Sequence, residues 1–383
     1  MVPESPKAVV PPIAWRFVPD AVIPACIRIA EMAFTLLFVA VIDGAGAPSL
    51  VSRFTSWDAT FYADIAAHGY PHEIVVRGGE LVGGSAAFAF SPLFPALTAA
   101  VHVLGISVPH AQLIVAVAAG VAASIGVHLL AREMFGSRRA AYIACVLLGA
   151  LPMAVALQMG YAESLAIALG AFSLRAAVRR SWWWASALSL LAGLARPSGG
   201  IVALAILVTA WTARRATNVP WLRVGGATAV GLAGLPLFWV YVWIRTGVVD
   251  GWFVVQRLGW RTRFDFGAYS VDLVRGRLGT DKEVALTILT IVAYVAVALL
   301  CQRMGLSRPL LAVSLAAIVL TLGSTNYWHS KPRLLLAAFP LVVLVARPLS
   351  RLSTRAVSVT LLVPVIGSAW WSAYSLTKAR WGI

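Results

Sequence analysis

Apolar runs of about twenty residues recur along the chain, and they limit its fold more than any other feature. Examples lie at residues 21–42, 110–131 and 283–302, and each is long enough to cross a bilayer core of about 30 Å as a helix. The runs are continuous rather than alternating, and only helices or closed barrels satisfy their backbone groups in lipid. The pattern therefore predicts an all-α, polytopic integral membrane protein. A composition of 60% hydrophobic and 12% charged residues agrees, because a soluble domain needs more polar surface.

The formal net charge of +16 does not indicate a nucleic-acid partner. Basic residues lie in short clusters between the apolar runs instead of covering one soluble face. Clusters of this kind mark cytoplasmic turns under the positive-inside rule, and they contact anionic lipid groups. We therefore expect membrane lipids as partners and a multi-pass location in the cell membrane. The cysteines Cys26, Cys145 and Cys301 are isolated and predict no disulfide framework.

The basic clusters predict a topology of about eleven spans, with the N-terminus inside and the C-terminus outside. Arg28 and Glu31 within the first run, and Pro48 after Ala45-Gly46-Ala47, favour an uncleaved first span over a signal peptide. With no visible repeat or linker, residues 1–383 are expected to form one membrane domain. Its expected parts are a first span (21–42), a catalytic extracytoplasmic loop (43–109), a helical bundle (110–244), a basic extracytoplasmic loop (245–282) and C-terminal spans (283–376).

Two segments of the predicted outer face stand out. The apolar stretch 88–105 is interrupted by Pro92 and Pro95, so we interpret it as a juxtamembrane helix rather than a crossing. The loop 245–282 is rich in arginine although the alternation of spans places it outside. Long loops cross the membrane regardless of their charge, so the topology tolerates these arginines but does not explain them. The positive charge of this loop therefore predicts an anionic ligand.

The first loop carries a candidate general base. On a helix, Asp58, Tyr62 and Ile65 share one face, while Trp57 and Phe61 can lie at headgroup depth. A carboxylate held at the lipid–water boundary can deprotonate an incoming hydroxyl, which contributes about 10²- to 10⁴-fold to a rate. An ordinary interfacial helix with solvated acids fits the same spacing.

Several short motifs together resemble one enzyme family. They are Trp57-Asp58 with Tyr62, Phe90-Ser91-Pro92, Tyr161-Ala162-Glu163-Ser164, Arg196-Pro197-Ser198-Gly199, Lys331-Pro332-Arg333-Leu334 and Phe339-Pro340. In this order, from about residue 50 to 345, the chain resembles the GPI mannosyltransferase II (PIG-V-type) family of the GT-C glycosyltransferase superfamily. The resemblance implies a polytopic inverting glycosyltransferase that uses a polyprenyl- or dolichyl-phosphate sugar and no nucleotide sugar.

The resemblance also implies roles for two acids. Asp58 matches the first-loop acid that acts as base, and Glu163 matches an acidic position in the second external loop that orients the acceptor or the base. The sequence departs from the family at Phe90-Ser91-Pro92, where two aromatics commonly precede the proline. The basic loop 245–282 has no counterpart that we can align, so the acceptor stays open.

A departing lipid phosphate needs cations placed in advance, and Arg196, Lys331 and Arg333 are the candidates on the outer side. Snorkelling at the interface is the alternative for each. We expect Trp57, Tyr62, Tyr161 and His329 to complete substrate binding, with Asn326, Tyr327 and Trp328 beside them. No cofactor is expected, although a divalent metal requirement stays open. A metal cluster of His68, His72 and Glu73 is disfavoured because Pro71 breaks the helix that would align them.

The expected function is transfer of a sugar, mannose by the resemblance, from a polyprenyl-phosphate donor to a glycolipid or glycan acceptor of the cell envelope, on the extracytoplasmic side. One alternative is a transporter or flippase of lipid-linked saccharides, and another is a noncatalytic membrane partner. Transporters favour charged groups near the bilayer midplane and internal symmetry, whereas here the acids lie in predicted external loops and no repeat is visible.

Overall fold

The computed structural model describes residues 18–43, 47–213, 220–277, 282–325 and 327–378, and helices dominate them. Ala45, Gly46 and Asn326, which entered the predictions above, lie outside these ranges. The α-helices are α1 (Ile23–Ile42), α2 (Leu50–Phe54), α3 (Asp58–His68), α4 (Leu93–His102), α5 (Val108–Phe135), α6 (Arg138–Gly149), α7 (Glu163–Val178), α8 (Trp182–Ala195), α9 (Leu204–Ala213), α10 (Trp221–Leu232), α11 (Gly234–Thr246), α12 (Gly251–Gly259), α13 (Ala268–Arg277), α14 (Lys282–Arg303), α15 (Arg308–Leu322), α16 (Lys331–Leu334), α17 (Pro340–Leu349) and α18 (Thr354–Thr377).

Only some of these helices are long enough to cross a membrane. Within the described ranges, four helical segments are long and apolar enough to cross a bilayer, and the count rises to six if each of two bent pairs is one span. The bent pairs are α10–α11, with a bend of 50°, and Trp328–Ala338 with α17, with a bend of 64°. Several other apolar helices, including α8 and α15, are shorter. The total of about eleven spans therefore stays a prediction.

The apolar runs at 140–158 and 198–213 also predict spans, and both differ from that expectation in the structure. In the first run, α6 ends at Gly149, because Pro152 follows and the chain continues into a short 3₁₀-helix, Ala154–Leu157. The second run begins as a 3₁₀-helix, Pro197–Ala203, and becomes α9 only at Leu204. Both breaks bring loop residues toward the same end of the bundle.

The core of the bundle is built from small residues that let helices approach closely. Helix α5 packs against α6 and α7, and α7 packs against α8. Gly126 on α5 faces Ala171 and Phe172 on α7, where an added Cβ would lie about 3.0 Å from the Ala171 methyl group. Because lipid tails are as apolar as the helices, such close packing supplies much of the association energy in membranes.

The first loop is a compact layer on the bundle. It contains α2, α3, a two-stranded antiparallel hairpin of β1 (Val75–Arg77) and β2 (Glu80–Val82), and α4. The hairpin is a small departure from the all-α expectation. Helix α4 has ten residues, about 15 Å, and agrees with the interpretation of 88–105 as a helix too short to cross. The predicted basic loop contributes α12, which packs over β2, so the two segments predicted to be extracytoplasmic form one layer.

Candidate functional site

Asp58 is the first residue of α3 and lies where the backbone turns sharply. The preceding residue, Trp57, has φ 54°, a region that non-glycine residues rarely adopt and that costs about 1–3 kcal/mol. The Asp58 side chain is 23% exposed, and its Oδ2 accepts a hydrogen bond from Nη2 of Arg333 at 2.6 Å. The carboxylate is therefore fixed in orientation but still reaches the surface.

Arg333 joins Asp58 to a second, buried carboxylate. Its Nε lies 3.2 Å from Oε1 of Glu163, and that same carboxylate forms an ion pair with Arg196. The Glu163 side chain is only 4% exposed, whereas Asp58 keeps nearly a quarter of its surface. The four groups form a linked charge network in which two carboxylates balance two guanidinium groups. In this network Asp58 is the acid that a substrate can contact.

Breaks in the helices place the members of this network. Arg196 is the last residue before Pro197 and has an extended backbone, so α8 ends there. The chain then turns back tightly, and an added Cβ at Gly199 would overlap the Ala192 backbone, which only glycine permits. Glu163 begins α7, and Arg333 lies directly after Pro332 in the four-residue helix α16.

Two tyrosines predicted to bind substrate border the network. The Arg333 guanidinium lies over the Tyr161 ring at 5.0 Å, and the Tyr161 hydroxyl donates to the Ser56 carbonyl at 3.4 Å. The ring of Tyr62 packs edge-on against Phe90 and Phe94. Burial, reinforced by the nearby Glu163 charge, raises the pKa of Tyr62, and burial also raises the pKa of Tyr161. Both phenols therefore stay neutral near physiological pH.

Lys331 and His329 lie on the segment that leads to Arg333. Lys331 is fully buried, and its Nζ donates to the carbonyls of Thr321 and Ser324, each at 2.8 Å. Lys331, which the sequence predicts to contact the phosphate, thus binds backbone carbonyls here and holds the end of α15 against α16. His329 stacks on Tyr327 with ring centroids 5.5 Å apart, and Trp57 is half-buried. Asn326 lies outside the described ranges.

Several residues that the sequence analysis did not select position the site. Gln112 on α5 donates from Nε2 to the Ala59 carbonyl at 2.8 Å, which holds α3 against the bundle. The Gly160 N–H donates to the Phe54 carbonyl at 2.8 Å and joins the loop before Glu163 to α2. Their signal in the sequence is weak, because a glutamine in an apolar helix indicates a buried polar contact but not its partner.

The basic loop 245–282 reaches the site through a short backbone pairing. The Thr325 N–H donates to the Arg263 carbonyl at 2.9 Å, and the Asp265 N–H donates to the Gly323 carbonyl at 2.8 Å. Asp265 in turn accepts hydrogen bonds from the backbone of Gly267 and Tyr269, and the bond from Tyr269 holds the pKa of Asp265 below its usual value. The loop therefore adjoins the segment that carries Lys331.

The cavity beside the charge network is small, and the described residues near it offer few metal ligands. A cavity of about 20 Å³ lies beside Glu163, Arg196 and Arg333, which is room for one water molecule. Across the part of the chain that the structure describes, no three His, Cys, Asp or Glu side chains cluster closely enough to hold a metal ion. His68 instead pairs with Asp64 at 2.9 Å, and His72 lies 3.0 Å from Arg245.

Comparison with known proteins identifies the fold. No protein-family model matches the sequence, and no curated protein matches it. Among solved structures, the chain is similar to ArnT from Cupriavidus metallidurans bound to undecaprenyl phosphate, with a TM-score of 0.53 and 16% identity over 88% of this chain and 62% of that one. It is also similar to the Archaeoglobus fulgidus oligosaccharyltransferase in the apo form, with a TM-score of 0.51 and 14% identity over 97% of this chain and 57% of that one.

The chain thus spans about three fifths of the length of each of these two proteins. At identities this low the likeness concerns the fold, while the resemblance to the GPI mannosyltransferase II family stays a prediction from the motifs. The chain has a mostly helical, GT-C-like membrane fold.

Proposed function

We propose that this protein is an inverting glycosyltransferase that moves a sugar from a polyprenyl-phosphate carrier to a hydroxyl of a cell-envelope glycolipid or glycan. The observation that carries the proposal is the partly exposed Asp58 carboxylate, held by Arg333 at 2.6 Å in front of the buried Glu163. The GT-C-like fold supports the reaction class, and a structure of similar fold was solved with undecaprenyl phosphate, which supports the carrier.

In the proposed reaction, Asp58 accepts the proton of the acceptor hydroxyl as its oxygen attacks the anomeric carbon. The bond between that carbon and the phosphate oxygen breaks, the lipid phosphate leaves with the bonding electrons, and the configuration inverts. Arg196 uses one Nη atom for Glu163 and is 13% exposed, so its other donors are the proposed contact for the leaving phosphate. Glu163 acts as a positioning residue through Arg196 and Arg333.

Two finer features of the proposal rest on the sequence. Mannose as the sugar follows from the motif resemblance, and the extracytoplasmic side follows from the basic clusters that the positive-inside rule assigns to the cytoplasm. Lys331 is proposed to position the loop 321–325 beside the site, since its ammonium group already has two carbonyl partners.

Transfer from radiolabelled polyprenyl-phosphate-mannose, measured in membranes of cells that express the protein, tests the proposed base. Asp58→Asn should lower the transfer rate by about 10²- to 10⁴-fold, because the amide cannot accept the hydroxyl proton but nearly preserves the volume. The amount of protein in the membrane should not change. Polyprenyl-phosphate-glucose, assayed in parallel, tests the choice of sugar.

Asp64→Asn is the matched control, because Asp64 lies on the same helix and is 59% exposed, and among the described residues its one ion-pair partner is His68. It should transfer at the wild-type rate. Wild-type transfer by Asp58→Asn, with equal protein, would reject Asp58 as the base, and loss of transfer in both variants would show a general effect on α3.

A further inference from the structure

A second concave site lies at the opposite end of the bundle from Asp58. It is a cavity of about 600 Å³ between the ends of α5, α9, α14, α15 and α17. Glu163 begins α7 in the candidate site, and that helix runs about 24 Å before it ends near Glu133 at the end of α5. Met134 and Phe135, the next residues of α5, line the cavity. The cavity is therefore separate from the charge network and belongs to the face predicted to be cytoplasmic.

Three arginines converge on this cavity without acidic partners. Arg308, Arg347 and Arg351 line it, and none of them has a carboxylate within 4.0 Å among the residues that the structure describes. Some other arginines of the same face are paired, since Arg132 binds Asp20 and Arg175 binds Glu133. The positive-inside rule explains basic residues at this face, but it does not explain why three unpaired ones surround one cavity.

The rest of the lining also suits an anion attached to an apolar group. The Arg347 guanidinium rests on the Phe135 ring at 5.2 Å, which fixes its orientation. Helix α15 begins at Arg308, and both Arg308 and its N-cap residue Ser307 line the cavity, so the positive end of the helix dipole lies there. The Ser307 side chain makes no capping hydrogen bond to this end of the helix. Met134, Leu306 and Pro309 add apolar surface.

We propose that this cavity binds a phosphate ester that carries an apolar group, with Arg308, Arg347 and Arg351 as the phosphate contacts. A guanidinium group donates two parallel hydrogen bonds to phosphate oxygens, and three such groups around one cavity can contact the same phosphate. An anionic phospholipid of the surrounding leaflet is the expected source, and a soluble phosphate ester shares the same chemistry. The site is independent of the proposed transfer reaction, because it shares no residue with the Asp58 network.

Lipid binding to the purified full-length protein tests the proposal. Native mass spectrometry would count bound dioleoylphosphatidylglycerol, with dioleoylphosphatidylcholine as the zwitterionic reference of zero net charge. The test variant is the triple substitution Arg308→Gln, Arg347→Gln and Arg351→Gln. The matched control is Arg223→Gln, Arg303→Gln and Arg355→Gln. These three arginines are exposed, do not line the cavity, and have no carboxylate within 4.0 Å in the part of the chain that the structure describes.

The test variant should bind phosphatidylglycerol at least about tenfold more weakly than wild type, while the control variant should bind it like wild type. Thermal unfolding of each variant checks that it is folded, and the single change Arg347→Lys, which keeps the charge but loses the fork, should weaken binding less than the triple change. Glycerol 3-phosphate, added as competitor, identifies the source: displacement of the lipid supports a soluble phosphate ester, and no displacement supports the lipid. Equal losses in both triple variants, or a loss in neither, would overturn the proposal.

Discussion

At the scale of single residues, the site is organised by charges that cannot be buried alone. Glu163 is 4% exposed and contacts both Arg196 and Arg333, and Arg333 also holds Asp58. An isolated charge away from water is costly, so each member of the network depends on the others. Of the two carboxylates in this network, only Asp58 is left partly exposed, so the network offers a single acid to a substrate.

Glu163→Gln should destabilise the protein by about 3–5 kcal/mol, because it leaves Arg196 without its carboxylate in a buried place. Transfer should also fall when it is measured at a temperature where the variant is still folded, since Arg333 and Asp58 lose a fixed partner. Glu163→Asp, which keeps the charge, should recover part of both losses. Thermal unfolding in detergent and the membrane transfer assay measure them.

Glu133→Gln is the control for this change. Glu133 also contacts two arginines, Arg175 and Arg179, but these side chains are 28% and 53% exposed. Removing an exposed ion pair costs less than about 1 kcal/mol, and transfer should not change. Equal losses of stability in the Glu163 and Glu133 variants would contradict the buried network.

At the scale of elements, interrupted helices bring the functional side chains together. Arg196 lies between the end of α8 and Pro197. Lys331 and Arg333 lie in a short segment that is bent by 64° from α17. Continuous helices would point these side chains along the bundle rather than toward one loop layer. A break in an α-helix within a membrane protein is tolerated where protein surrounds it, and Gly199 and Gly200 in the 3₁₀-helix Pro197–Ala203 are buried in this way.

Gly199→Ala should lower stability by about 1–3 kcal/mol and reduce transfer, because the added methyl overlaps the Ala192 backbone and displaces the turn that carries Arg196. Gly225→Ala is the matched control, since Gly225 is an exposed helical residue of α10 with nothing near its added Cβ. That change should be neutral or stabilise by up to about 1 kcal/mol. If the two glycine variants unfold at the same temperature, the tight turn does not support the site.

At the scale of the whole molecule, the two ends of the bundle differ in chemistry. One end holds the Asp58 network beneath the layer of α3, α4 and α12, and the other holds the arginine-lined cavity. The positive-inside rule assigns the arginine-rich end to the cytoplasm, so the network should face the opposite compartment.

Labelling of single cysteines with a membrane-impermeant maleimide tests this orientation, after Cys26, Cys145 and Cys301 are replaced by alanine. Glu73→Cys, in the exposed first loop, should react on intact cells. Arg355→Cys, exposed at the start of α18, should react only after permeabilisation. The reverse pattern would place the network in the cytoplasm and contradict the proposed side of transfer.

Sequence motifs anticipated much of the candidate site. Asp58, Tyr161, Glu163, Arg196 and Arg333 were selected from the sequence, and the structure brings them into one cluster. Lys331 shows the limit of that reasoning, because it turns to the carbonyls of Thr321 and Ser324. A basic residue in a predicted outer loop looks the same in sequence whether its partner is a ligand or a carbonyl group of its own chain.

The helical membrane class of this protein was determined by its sequence alone, because the length and continuity of an apolar run are local properties that lipid converts directly into helix. The functional geometry was decided only by the tertiary structure. Arg333 lies 275 positions from Asp58 along the chain. Their contact depends on how α3, α7, α8 and α16 pack, and the cavity of Arg308, Arg347 and Arg351 depends in the same way on where separate helices end.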